Sequence, residues 1–135
     1  MGPQLPADLQ RDIDAHAEDG FIQWRDNSTP EQKATGSAEA DRWVKDPAFA
    51  QQQQEFMANL FKDCDLNHDQ LLDPLEFANF VAKLMEDGAK RGNYEDPRVE
   101  KIEEAYHLAD RINPNTSGVS LEDWQTLCFA MVGKT

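Results

Sequence analysis

The stretch D65-L-N-H-D-Q-L-L-D-P-L-E76, residues 65–76, sets four acids and an asparagine among twelve residues. Asp65, Asn67, Asp69, Asp73 and Glu76 occupy its first, third, fifth, ninth and twelfth places, with Leu71 and Leu72 between them. Apolar residues flank it on both sides. Met57, Leu60, Phe61 and Cys64 precede it, and Phe77, Phe80, Val81 and Leu84 follow. Both sets keep the i, i+3, i+4, i+7 spacing of one buried helix stripe. The acidic cluster is therefore expected to be a loop between two amphipathic helices, at about 47–64 and 74–87.

Such a loop has the chemistry of a cation cage. Ca²⁺ takes six to eight oxygens at roughly 2.3–2.6 Å, and a short loop wraps it when alternate side chains turn inward. Asp65, Asn67 and Asp69 would supply side-chain oxygens and Leu71 its backbone carbonyl. Asp73 would act directly or through water, and Glu76 is long enough to bind through both oxygens. Leu72 is the apolar residue expected to make a short strand contact with a partner loop. Four carboxylates in so small a loop repel one another unless something neutralises them.

With these residues in place, residues 57–84 resemble an EF-hand, a helix, a twelve-residue calcium loop and a helix, with the motif D-x-[DN]-x-[DN]-G-x₅-E. Every ligand place matches. The departure is Gln70, where the family has glycine. That place favours a positive φ, which costs a non-glycine residue roughly 1 kcal/mol or more, so weakened binding is expected. The resemblance implies an all-α fold with Ca²⁺ as cofactor. It also implies a helix pair that opens on Ca²⁺ and exposes an apolar groove for an amphipathic helix of a target protein. The groove would be lined by Phe61, Phe77, Phe80, Val81, Leu84, Met85, Leu127 and Met131.

EF-hands pair, and a second set of stripes lies downstream. Ile102, Ala105, Tyr106 and Ala109 end just before Asp110; Trp124, Leu127, Cys128 and Met131 start just after Asp123. The segment between them, DRINPNTSGVSLED, has fourteen residues, two too many for the motif. Ile112 and Pro114 fall where acids belong, and Asp123 is one methylene shorter than Glu. Residues 102–131 are therefore expected to form a degenerate EF-hand kept for packing. The alternative is a weak site using Asp110, Asn113, Asn115, Ser117 and backbone carbonyls. Val119 falls four places before Asp123, as Leu72 does before Glu76, so the paired strand contact is expected to survive.

Proline sets the other boundaries. Thr29-Pro30, Asp46-Pro47, Asp73-Pro74 and Asp96-Pro97 each place a good N-cap before a residue that suits the first helical position. Helices are expected from about 30, 47, 74 and 97, another near Ser120, and one over about 7–24. Domain organisation follows as an N-terminal helical arm over 1–46 and an EF-hand pair over 47–135, with its halves at 47–88 and 97–133. Phe21, Ile22, Trp24, Trp43 and Val44 give the arm too much apolar surface for a disordered tail. It either completes the core of the pair or occupies the target groove. Gly36-Ser37 and the thin apolar content of 30–42 predict a flexible joint there.

Composition excludes several classes. The 135 residues carry a formal charge of −13 at a pI of about 4.4. The charge is spread evenly, with −5 on 1–46, −4 on 47–92 and −4 on 93–135. A nucleic-acid footprint is absent, and anionic lipid would repel the chain. No run is apolar enough for a signal peptide or a membrane span, so no membrane insertion is expected. Cys64 and Cys128 lie far apart on apolar stripes, as reduced thiols of a cytoplasmic protein would. His16, His68 and His107 share no ligand spacing with them. The tail VGKT lacks the upstream glycine of a phosphate loop, since residue 128 is Cys. With no nucleophile–base pairing, zinc spacing or phosphate loop, no enzyme is expected. The reading is a calcium sensor with one working site; a light-chain-like structural subunit and a calcium buffer are the alternatives.

Overall fold

The computed structural model describes residues 5–94 and 98–132. Within them the chain forms six helices: α1 (Ala7–Asn27), α2 (Pro30–Lys45), α3 (Pro47–Cys64), α4 (Pro74–Lys90), α5 (Val99–Ile112) and α6 (Leu121–Val132). The fold is all-α, with no named strand among the described residues. No described helix is long and apolar enough to cross a membrane.

Side-chain oxygens start these helices. Before α2, the Thr29 hydroxyl accepts from Gln32 N at 3.1 Å while the Gln32 amide accepts from Thr29 N at 2.8 Å, a reciprocal capping box. Asp46 accepts from the N–H groups of both Ala48 and Phe49 to start α3. Asp73 and Glu76 form a second box at α4, and Ser120 and Asp123 a third at α6. The expected start at Asp96-Pro97 falls outside the described residues; α5 is described from Val99, without a side-chain cap. The last turn of α4 closes on Gly92 at φ +93°, with Asn93 N donating to Gly88 O and Gly92 N to Ala89 O. This pattern satisfies the orphan carbonyls of a helix end, and Gly carries the left-handed residue without strain.

A single core joins α1 to the helices of both loops. Leu9 and Ile13 of α1 are buried with Phe61, Phe77, Phe80, Leu108, Val119 and Leu127. Edge-on aromatic contacts order its centre: Trp124 lies 5.6 Å from Phe77 and 5.5 Å from Phe80, and Phe61 5.9 Å from Phe80. Such pairs contribute about 0.5–1.5 kcal/mol each beyond their burial. An ion-pair ladder aligns α1 with α5. Asp8 and Asp12 meet Arg111, His16 meets Glu104, and Asp19 meets Lys101 and Arg98. The ladder runs the two helices antiparallel, since the order of partners reverses along α5.

α2 is different, because it has no buried residue. Its main contacts are with α3, through Trp43 edge-on to Phe49 at 6.2 Å and the Arg42 guanidinium 4.0 Å over the same ring. The expected joint at Gly36-Ser37 does not form; α2 is helical throughout. Gly36 has another role. A Cβ there would stand 2.9 Å from Trp24 Cζ2, so its absence lets the indole lie flush against α2.

Candidate metal centre

The loop between α3 and α4 is closed by its own acids. Glu76 Oε1 accepts from Asp73 N at 3.0 Å and Glu76 Oε2 from Leu66 N at 2.8 Å, so one carboxylate ties both ends of the loop together. Asp73 Oδ1 accepts in return from Glu76 N at 2.8 Å. Asp65 Oδ2 accepts from Gln70 N, also at 2.8 Å. Asp69 accepts from Leu71 N at 3.0 Å and from the Asn67 amide at 3.3 Å. Asp65 and Glu76 are buried, at 5% and 8% exposure, whereas Asn67, Asp69 and Asp73 are exposed and Leu71 half-buried.

Two features bear on cation binding. Asp65 Oδ1 is buried with no hydrogen-bond partner. A buried carboxylate oxygen left unpaired is costly, and an N–H or O–H donor, a water or a cation would each relieve it. Against this, no three His, Cys, Asp or Glu side chains among the described residues lie together closely enough to hold a metal ion. The acids of residues 65–76 are engaged by backbone N–H groups instead of converging on one point. The donor set is of the oxygen type that suits a hard cation.

The backbone of the loop is left-handed at two places. Gln70 has φ +66°, the conformation expected at that position, and His68 has φ +55°, which the spacing did not indicate. The strand contact forms as expected: Leu72 and Val119 make an antiparallel bridge between the loops. Gly118, at φ +144°, allows it, because a Cβ there would meet Leu72 O at 2.8 Å.

The second loop copies the first at its outgoing end and departs at its incoming end. Asp123 is 4% exposed and caps α6 with Ser120, as Glu76 and Asp73 cap α4. The excess length is taken up by helix. α5 runs on to Ile112, whereas α3 stops at Cys64, so Asp110 lies within a helix and Asp65 follows one. Thr116 Oγ1 donates to Asn113 O or Gly118 O, 3.1 and 3.3 Å away, which ties the loop to its own carbonyls. Asp110 Oδ1 is nevertheless unpartnered and buried, like Asp65 Oδ1. The charges of Asp110 and Asp73 add to burial in raising the Tyr106 hydroxyl pKa above its ordinary value.

Of the eight expected groove residues, Phe61, Phe77, Phe80, Val81 and Leu127 are buried and Leu84, Met85 and Met131 half-buried. Val81, Met85 and Met131 line a cavity of about 260 Å³ together with His16 and Trp24 of α1. The ladder that positions α1 over this face escaped the sequence reading, although the spacing of Asp8, Asp12, His16 and Asp19 on one helix face was a usable signal. Burial lowers the pKa of His16, opposed by its 2.6 Å hydrogen bond to Glu104.

Compared with protein-family models, with curated proteins and with solved structures, the chain matches none.

Proposed function

We propose that the chain is a calcium-binding regulatory protein of EF-hand type. Its site is made by Asp65, Asn67, Asp69, the Leu71 carbonyl, Asp73 and Glu76, and it couples the ion to binding of a partner's amphipathic helix. The observation that carries this is the buried, unpartnered Asp65 Oδ1 at the first ligand place. The positive φ of Gln70 and the Leu72–Val119 bridge support the same reading, since each stands where the motif calls for it.

The bound ion would neutralise the clustered carboxylates. The protein's part lies in Glu76, which exchanges Leu66 N and Asp73 N for the ion. Because Glu76 belongs to the first turn of α4 and Leu66 N follows α3, that exchange pulls on the two helix ends together. Calcium titration by calorimetry tests the proposal, with one site per chain expected. An affinity of roughly 10⁻⁷–10⁻⁴ M spans sensor and weaker sites, and the strained Gln70 favours the weak end. Absence of heat and of any tryptophan fluorescence change at millimolar calcium would overturn it.

A structural subunit is the second reading. It is favoured by the closed core, in which Leu9 and Ile13 of α1 pack with five of the eight groove residues. An apolar dye separates the two: a sensor binds it on calcium addition, whereas a subunit keeps its partner in chelator and binds no more dye.

A further inference from the structure

The cavity of about 260 Å³ lies among α1, α4, α5 and α6. Its walls are mostly apolar, with Trp24, Val81, Met85, Ile102, Trp124 and Met131 among them. Two polar groups of its lining residues have unused hydrogen-bonding capacity, of opposite kinds. One belongs to His16, which is 8% exposed. Its Nδ1 stands 2.6 Å from Glu104 Oε1. A glutamate ionised at neutral pH can only accept, so Nδ1 carries the proton and donates. Burial lowers the His16 pKa, which keeps the ring neutral at that pH. Nε2 is then a bare acceptor, and it meets no donor among the described residues. The other group belongs to Trp124, 9% exposed, whose indole N–H is buried without a partner. That group can only donate.

These groups select a ligand. A neutral acceptor and a neutral donor are both served by a hydroxyl, which donates and accepts. A charged ligand is not served. Lys101, the cation in the lining, is held by Asp19 at 2.9 Å and Glu104 at 3.3 Å, and no Asp or Glu lines the cavity among the described residues. The remaining surface suits an aromatic body, because indoles meet rings edge-on or stacked and methionine sulfur packs against ring edges. An apolar cavity of about 150 Å³ holds benzene, so the volume here admits a substituted ring.

We propose that this cavity binds a small neutral phenol, its ring among Trp24, Met85, Trp124 and Met131 and its hydroxyl donating to His16 Nε2. Glu104 is the positioning residue, since its carboxylate fixes which imidazole nitrogen is bare. The site is independent of calcium and of a partner helix, because no residue of the 65–76 loop lines it and the ligand is a small molecule.

The test titrates the full chain, in chelator, with p-cresol and with p-xylene, which carries a methyl in place of the hydroxyl. p-Cresol is expected to bind with a dissociation constant below about 1 mM. It is expected to bind roughly three- to tenfold more tightly than p-xylene, the margin of one neutral hydrogen bond. His16→Phe keeps a ring and removes the acceptor. It is expected to reverse that order, because a hydroxyl buried without a partner is penalised. In the unsubstituted chain the His16 Nε2 nitrogen resonance is expected to shift with p-cresol and hardly move with p-xylene, a readout that stands whether or not His16→Phe folds. The methyl resonances of Met85 and Met131 are expected to move, and that of Met57, which lines the cleft beside α2, to stay. The proposal fails if p-cresol is not half-saturating by about 1 mM, which would leave water as the occupant. It fails too if p-xylene binds as tightly as p-cresol, or if Nε2 does not respond. A response of Met57 in place of Met85 and Met131 would put the phenol in the other cleft and overturn it as well.

Discussion

Leu72 and Val119 exchange both of their backbone hydrogen bonds, at 2.8 and 3.0 Å, and both side chains are fully buried. This contact joins two loops 47 residues apart in sequence, two residues ahead of α4 in one and of α6 in the other.

Glu76 and Asp123 close equivalent places in the two loops, and their substitutions should separate. For the proposed calcium site, Glu76→Gln is expected to weaken binding roughly tenfold to a hundredfold, because affinity follows ligand charge. Asp123→Asn is expected to leave it almost unchanged. Calorimetric titration of both variants decides; the reverse ranking would mean that the second loop is the working one.

Gly118 should be intolerant of any side chain. Its φ of +144° and the 2.8 Å approach of a Cβ to Leu72 O both oppose alanine. Gly118→Ala is expected to cost about 2–3 kcal/mol, read as a lower urea midpoint at unchanged m. Gly20→Ala, where a Cβ meets nothing within 4 Å, is expected to stabilise by about 0.5–1 kcal/mol.

His16 should make stability depend on pH. Burial lowers its pKa from 6.5, so between that value and its folded pKa the unfolded chain binds more protons than the folded one. Its contribution is therefore complete above pH 6.5 and is lost as pH falls toward the folded pKa. Asp19 and Glu104, whose pKa values are lowered, lose theirs at more acid pH; Lys101 contacts both and its charge also lowers the pKa of His16. Thermal unfolding at pH 7.5 and 5.5 should show a lower Tm at the acid pH, with a smaller difference in His16→Asn.

Both thiols should react slowly. Burial pushes Cys128 up to about 12 and raises Cys64 as well. At pH 8, Cys128 is expected to react with an aromatic disulfide reagent well over tenfold more slowly than free cysteine, because little of it is thiolate. Release of the chromophore in native buffer and in urea measures this; equal rates would show the thiol to be open.

Local chemistry made much of this protein legible in its sequence. Thr29, Asp46, Asp73 and Ser120 start helices in the structure because a cap needs only a few neighbouring backbone groups. The apolar spacing around 65–76, the left-handed Gln70 and the Leu72–Val119 pairing followed from residues within one loop and its equivalent. Tertiary structure decided the rest, because it depends on which surfaces meet. Gly36 reads as a hinge until Trp24 is seen against it, and the two extra residues of the second loop read as loop until α5 absorbs them. The antiparallel seating of α1 on α5 needed Asp8, Asp12 and Asp19 to find Arg111, Lys101 and Arg98, groups some 80 to 100 residues away. The cleft lined by Trp24, Trp43, Met57, Tyr94 and Phe129 likewise needs segments far apart in sequence to come together, a property of packed shape that no single segment encodes.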